Sequence, residues 1–172
     1  TTQGSGDDWS NPTNAQSESG TYASVDITKQ EYTAWLRASN FSFGIPAGAT
    51  IDGIEVRIKR YGENASDLSD SSLRLHKGGT VSGDDKASAT AWPSTNGWSA
   101  TYGGPTDMWT SGYGYADVTD STFGVQLSVY NNHSYAARFA YVDVLQIKIY
   151  YTAASAGIPE LAMRHFRQRR VA

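Results

Sequence analysis

Apolar and polar residues alternate along several short segments of the chain, and this alternation is the feature that most limits the fold. The pattern runs through segments 54–59, 123–129 and 145–151. Successive side chains of a β-strand point to opposite faces, so a period of two predicts strands with one buried and one solvated face. No segment before residue 158 shows the sustained 3.6-residue apolar period of a helix. We therefore expect an all-β protein.

The spacing of the strands indicates how they pack. Further strands are predicted at 20–28, 33–43, 73–75 and 135–140. Runs rich in Gly, Pro, Asn and Asp, which favour chain reversals, separate the strands at 45–50, 62–67, 77–85, 102–107 and 130–134. Short strands joined by turns predict an antiparallel β-sandwich or jelly roll, and an up-and-down barrel is the weaker alternative.

Both ends of the chain differ from this pattern. Residues 1–19 are rich in Gly, Ser and Asn and carry one large apolar side chain, Trp9, so we expect an extended N-terminal arm. The sandwich domain is expected at 20–152. Residues 153–172 are expected to form a short C-terminal arm, basic and half apolar, that can adopt a helix.

The charge is distributed unevenly. Residues 1–152 carry ten Lys and Arg against sixteen Asp and Glu, a net charge of −6, whereas residues 157–172 carry four Arg against one Glu, a net charge of +3. An acidic body repels phosphate backbones, so nucleic acid is not an expected partner. No run of about 18 apolar residues is present, and a membrane is not an expected partner either.

The C-terminal arm carries helix-start and helix-stop signals in the right order. Pro159 and Glu160 suit a first helical turn, and Arg164 and Arg167 suit a last one. A frayed end remains the alternative. The residues expected to contact a protein partner through the two arms are Trp9, Ile158, Leu161, Met163, Arg164, Phe166, Arg167, Arg169 and Arg170.

Segment 83–114 lacks a clear period and is rich in aromatic residues, so we expect a long ordered excursion over one end of the sandwich. Its rings could fill the core or a subunit interface, and this is the favoured interpretation. They could also form a platform that stacks against sugars. The residues concerned are Trp92, Trp98, Tyr102 and Trp109.

Signatures of catalysis and metal binding are scarce. The chain has no cysteine, which excludes disulfides and thiolate metal sites, and it lacks GxSxG, P-loop, HExxH and GxGxxG motifs. The three histidines, His76, His133 and His165, are expected at the surface. Weak calcium candidates are Asp67, Asp70, Asp84 and Asp85, but solvated turn carboxylates are the favoured interpretation. We expect no enzyme activity, no metal and no cofactor.

Two residues in the predicted strands, Gly53 and Asp143, are expected to have specific structural roles. Gly53 interrupts the pattern of segment 50–60, which indicates a bulge or a close approach of another backbone. Asp143 shares its strand face with Leu145 and Ile147, so it is expected to point inward. A buried carboxylate needs hydrogen-bond donors, for which the backbone amides of a neighbouring loop are suitable.

Several motifs resemble a β-sandwich module that is common in bacteriophage structural proteins. They are WSNP at 9–12, the run FGIPAGATIDGIEVRIKR at 43–60, the GG pair at 78–79, YGGPTDMW at 102–109 and VDVLQIKIYY at 142–151. The resemblance covers most of residues 9–152. The small residue that usually follows the loop Trp is Thr110 here, and no catalytic residue carries over.

The resemblance implies a virion component that works by binding and often forms a trimer. We expect a capsid decoration or cement protein, made in the bacterial host cytoplasm and located on the capsid surface, with the major capsid protein or other virion subunits as partners. The alternatives are a tail, baseplate or fibre component, with host-glycan binding, or a carbohydrate-binding module.

Overall fold

The fold of the described residues is built from nine strands. The computed structural model describes residues 2–3, 5–64 and 66–154. The strands are β1 Thr2–Gln3, β2 Ala23–Ile27, β3 Trp35–Ser39, β4 Thr50–Gly62, β5 Leu68–Lys77, β6 Thr80–Ser82, β7 Gly97–Gly103, β8 Phe123–Asn131 and β9 Arg138–Thr152. A 3-10 helix at Pro12–Ala15 and a single helical turn, α1, at Tyr115–Val118 accompany them.

The strands form two antiparallel sheets. One sheet has the order β2-β9-β4-β7, and the other has the order β3-β8-β5-β6 with β1 added outside β3. Strands that follow each other in sequence mostly lie in opposite sheets, and these two orders are those of an eight-stranded jelly roll. The predicted antiparallel β-sandwich is confirmed.

The core lies between the sheets and consists of the residues that the alternation pointed inward. Ile54, Val56 and Ile58 on β4 are fully buried, as are Val125 and Leu127 on β8. The charged residues between the β4 positions lie on the other face and are partly exposed. The period-two pattern therefore identified the core face of both long central strands. The expected solvated face is wrong for β8, because Gln126 and Ser128 on its other face are buried as well.

Strand β7 was not predicted, because its sequence does not alternate. The strand lies at the end of its sheet and pairs on one side with β4, with a register shift between Ile58 and Lys59. Only Tyr102 among its residues is buried. A strand at a sheet edge with little inward surface has no need of a hydrophobic period.

The expectation for Gly53 is confirmed in both respects. A bulge between Ile51 and Gly53 interrupts the pairing of β4 with β9. A Cβ at Gly53 would lie 2.2 Å from the carbonyl oxygen of Gly104. The loop after β7 thus crosses this position so closely that no side chain fits.

The N-terminal segment packs against the sandwich, which corrects the expected boundary at residue 20. Trp9 is only 4% exposed and donates its indole N–H to the carbonyl of Ala34 at 2.9 Å. Ser10 pairs with Ser24 through two backbone hydrogen bonds. Trp9 is therefore a core residue of its own chain and not a contact for a partner. The other arm residues predicted to bind a partner, from Ile158 to Arg170, lie outside the described residues.

Candidate docking surface

The aromatic residues of segment 83–114 lie mostly in the interior. Trp92 and Trp109 are almost completely buried, and Tyr102 is 8% exposed. Buried rings offer no face to a sugar, so the glycan platform is wrong for these three, and the core interpretation is correct. Trp98 is different, because it is 37% exposed and the guanidinium of Arg57 lies 4.5 Å from its ring centroid.

Two of these rings belong to a buried polar group that we call the Asp70 cluster, formed by Arg60, Asp70, Trp92 and Tyr102. The Asp70 carboxylate forms an ion pair with Arg60 and accepts hydrogen bonds from the Tyr102 hydroxyl and from Trp92 Nε1. The backbone N–H of Ser88 adds a fourth donor at 3.0 Å. The guanidinium of Arg60 lies 4.4 Å from the Trp92 ring centroid, within cation–π range.

The Asp70 cluster joins parts of the fold that are distant in sequence. Arg60 and Tyr102 belong to one sheet, Asp70 belongs to the other, and Trp92 lies in the connection between β6 and β7. Burial raises the pKa of Tyr102 far above its ordinary value, against the opposing charge of Arg60 and with the support of the Asp70 charge. The phenol therefore remains a hydrogen-bond donor, and the cluster stabilises the packing of the two sheets.

The four calcium candidates are used within the protein. Asp67 forms an ion pair with Arg138, and Asp84 lies 3.5 Å from Lys86. The described residues contain no group of three or more acidic, His or Cys side chains that could hold a metal ion. The interpretation of Asp70 as a solvated turn carboxylate is wrong, because its side chain is fully buried.

Asp85, in contrast to Asp70, is a loop carboxylate that forms hydrogen bonds to a neighbouring strand. It accepts hydrogen bonds from the Ser72 hydroxyl at 2.6 Å, the Leu73 amide at 2.8 Å and Arg74 Nε at 3.1 Å. Burial acts to raise the pKa of Asp85, but these donors hold it below its ordinary value. The side chain fixes the connection after β6 to the neighbouring strand β5.

The expectation of surface histidines fails for His76, which is 4% exposed on β5. Burial, followed by the nearby charge of Arg37, lowers its pKa to about 4. His133 is half-buried, and its Nδ1 accepts the backbone N–H groups of Tyr135 and Ala136. His133 thus stabilises the turn before β9, and His165 lies outside the described residues.

The expected burial of Asp143 and its loop-amide donors are confirmed, but the expected shared face with Leu145 is not, because a register shift opposite Lys59 and Arg60 lies at Asp143. Asp143 is 1% exposed, and its carboxylate accepts the backbone N–H groups of Ser19 and Gly20, each at 3.3 Å, and the amide of Asn96 at 3.0 Å. Burial acts to raise its pKa, but these donors and Lys59 hold it below its ordinary value. Asp143 therefore attaches the N-terminal segment to the β2-β9-β4-β7 sheet.

The outer face of this same sheet carries four contiguous aromatic rings that we call the aromatic ridge: Tyr22, Tyr61, Tyr141 and Phe139. The rings of Tyr61 and Tyr141 stack with centroids 4.6 Å apart and 14° between their planes. Phe139 lies 6.0 Å from Tyr141 at 19°, and Tyr22 meets Tyr61 edge-on at 5.2 Å. Phe139 is 39% exposed, and the three tyrosines are half-buried.

Stacking decides which part of the ridge faces outward. Because the faces of Tyr61 and Tyr141 cover each other, what they present outward is mainly ring edges and hydroxyls. A sugar ring binds best to an open aromatic face, so the ridge suits contact with protein better than with glycan.

Charge around the aromatic ridge is negative. Asp26 pairs in register with Phe139, and Glu63 hydrogen-bonds the backbone of Phe139. Among the described residues neither Asp26 nor Glu63 forms an ion pair, whereas the nearby Lys59 is paired with Glu18. Burial, followed by the charges of Glu63 and Asp26, raises the pKa of Tyr141. The ridge therefore combines apolar surface with two carboxylates free to meet a cation.

A second exposed feature is the edge of β9. The strand pairs with β4 along most of its length, but on its other side β2 covers only residues 138–142, and Gln16 bridges to Val144. Within the described part of the chain, the segment from Leu145 to Thr152 has no strand on that side. A groove of about 590 Å³ lies beside it, and its lining includes Phe41, Leu145 and Ile147.

Sequence reasoning found the strands that carry these features but not the features themselves. The signal for the aromatic ridge is the presence of Tyr and Phe at outward positions of β4 and β9 and immediately before β2, where polar residues are usual. The open edge of β9 has no signal in the sequence, because it depends on where β2 ends relative to β9.

No helix among the described residues is long and apolar enough to cross a membrane. Comparison with protein-family models, curated proteins and solved structures finds no match to this chain.

Proposed function

We propose that the protein is a non-enzymatic structural component of a bacteriophage virion that binds and stabilises the capsid as a decoration or cement protein. The observation that supports this proposal most directly is the open edge of β9 beside a groove lined by both apolar and polar residues. An unpaired edge offers a row of backbone N–H and C=O groups to a strand of another protein. The sequence motifs shared with phage β-sandwich modules agree with it.

The groove indicates what kind of segment the edge would accept. Leu145, Ile147 and Phe41 offer apolar contacts. The charged residues that line the same groove are two basic ones, Arg57 and Lys148, and two acidic ones, Glu18 and Glu55. An extended segment of a capsid subunit, with apolar residues on one side and polar residues on the other, matches these groups. Backbone pairing would supply affinity, and the groove would supply register.

Stoichiometry in purified particles tests the proposal first. A decoration protein is expected in hundreds of copies on the head, which quantitative mass spectrometry of gradient-purified particles would measure. A handful of copies located at the tail would contradict the capsid assignment and favour the tail, baseplate or fibre alternative.

A matched pair of variants tests the edge itself. Phe41→Glu places a charge in the groove, and Val81→Glu places the same charge on β6, a 40% exposed position on the other sheet. We expect Phe41→Glu to weaken cosedimentation with particles that lack the protein by about tenfold or more, and Val81→Glu to leave it unchanged. Equal binding by both variants would remove the open edge from the proposal.

Trp98 supports a second candidate function, glycan binding by a tail component or a carbohydrate-binding module. It is the exposed member of the four predicted aromatics, and the Arg57 guanidinium beside it can donate hydrogen bonds. Binding to a glycan array that is lost in Trp98→Ala and kept in Tyr135→Ala, another exposed aromatic, would favour this function. Absence of any glycan signal would leave the capsid proposal as the better one.

A further inference from the structure

We propose that the aromatic ridge is a self-association site that receives the arginine-rich C-terminal segment, residues 164–170, of a second copy of this chain. The inference goes beyond the proposed function, because it concerns the purified protein and requires no particle. Its occupant is identified by charge complementarity.

Charge complementarity selects the occupant. The aromatic ridge has two carboxylates without an ion pair among the described residues, Asp26 and Glu63. Two basic side chains in this part of the sheet, Lys59 and Arg138, are already paired. Residues 1–152 carry a net charge of −6, so the body offers few cations to these carboxylates. The densest group of positive charge in the chain is Arg164, Arg167, Arg169 and Arg170.

The chemistry of the aromatic ridge suits a guanidinium. A planar guanidinium pairs bidentately with a carboxylate and stacks on an aromatic face. At the end of the stack Phe139 is 39% exposed, and Asp26 lies in register beside it. The tyrosine hydroxyls of the ridge supply further acceptors, and Phe166 of the segment can pack against its apolar surface.

Chain length disfavours the same chain only for the start of the segment. The ridge lies at the start of β9, and the described chain continues only two residues beyond Thr152, the last residue of β9. From Tyr141 to Thr152 the strand spans roughly 36 Å. Arg164 follows Thr152 after a stretch that reaches about 40 Å only when fully extended. Arg170 lies six residues further along and reaches roughly 60 Å, so the end of the segment can come from the same chain or from a neighbouring copy. Trapping between separate chains distinguishes the two sources.

The absence of cysteine from the chain allows a direct test by disulfide trapping. Ser24→Cys introduces a thiol on the outward face of β2 beside the ridge, and Gln168→Cys introduces one among the arginines while keeping every charge. We expect a mixture of the two single variants to form a heterodisulfide dimer on mild oxidation, identified by its intact mass. Val81→Cys, on the opposite sheet, replaces Ser24→Cys in the control mixture and is expected to form little of this product.

Charge neutralisation gives a second, independent measurement. Asp26→Asn with Glu63→Gln removes two negative charges at the ridge, and Thr80→Lys with Val81→Lys changes the net charge equally on the opposite sheet. We expect the ridge variant to weaken self-association by about tenfold in sedimentation equilibrium, since each exposed ion pair contributes little alone. The control should keep the wild-type affinity, and 0.5 M salt should weaken the wild type.

Three outcomes would overturn the inference. They are a heterodisulfide that forms equally well with Val81→Cys, unchanged self-association in the ridge variant, and a trapped product found only within single chains of a double variant, Ser24→Cys with Gln168→Cys. None of these outcomes bears on capsid binding through the edge of β9, which is measured on particles.

Discussion

The Asp70 cluster and the aromatic ridge combine the same kinds of side chain and use them in opposite ways. Both contain tyrosine or tryptophan rings next to carboxylates. Inside, the Asp70 carboxylate accepts hydrogen bonds from four donors, and the tryptophan and tyrosine rings of the cluster are buried. On the ridge, Asp26 and Glu63 have no ion pair among the described residues, and Phe139 is exposed. The paired groups inside stabilise the fold, whereas the exposed carboxylates of the ridge are solvated and accessible to a partner.

The two neighbouring tryptophans Trp92 and Trp98 offer the largest test of this difference. Trp92→Ala should lower the free energy of unfolding by about 4 kcal/mol, because it leaves a cavity and removes a donor to Asp70. Trp98→Ala should lower it by less than about 1 kcal/mol, since the ring is partly solvated. Chemical denaturation of both variants checks this, and equal losses would mean that Trp98 also belongs to the core.

Removing the charge of Asp70 tests whether the cluster behaves as a buried ion pair. Asp70→Asn should cost about 3 kcal/mol, because the guanidinium of Arg60 remains buried without its counter-charge. The double variant Arg60→Met with Asp70→Leu should recover part of this loss, since no charge is then left unpaired. A double variant less stable than Asp70→Asn would show that the hydrogen bonds, and not the ion pair, matter most.

A pH titration separates a buried ionisable group from those at the surface. The pKa of His76 is lowered to about 4 in the folded protein, below the ordinary value of about 6.5 in the unfolded chain. The unfolded state therefore binds the extra proton first, so stability is full above pH 6.5 and falls as pH decreases toward 4. The loss between pH 7 and pH 5 should be about 2 kcal/mol, and His76→Gln should remove this component.

Truncation of the ridge should have the smallest effect on stability. Tyr61→Ala should change the free energy of unfolding by about 1 kcal/mol or less, because the ring is half-buried and packs mainly on other ridge rings. Self-association should nevertheless weaken, which analytical ultracentrifugation measures on the same samples. A large loss of stability with unchanged self-association would reverse the assignment and make the ridge a structural element.

Local sequence patterns predicted much of the fold but only part of the candidate surface. The alternation at 54–59 and 123–129 located the central strands, and the bulge at Gly53 and the burial of Asp143 were predicted correctly. The face of Asp143 was not, because a register shift separates it from the alternation of Leu145 and Ile147. Strand β7 was missed because an edge strand need not alternate. The glycan interpretation of Trp92 and Trp109 was wrong because a tryptophan has the same sequence signal in a core as on a surface.

The sequence by itself determined the β class, the inward faces of the long strands, the acidic body and the basic C-terminal segment. Each of these is a property of residue type or of spacing along the chain. Only the tertiary structure decided that Trp9 belongs to the core, that Asp70 meets Arg60, and that Tyr61 stacks on Tyr141. These contacts join strands far apart in sequence, and their partners are set by sheet order and register, which no local pattern encodes.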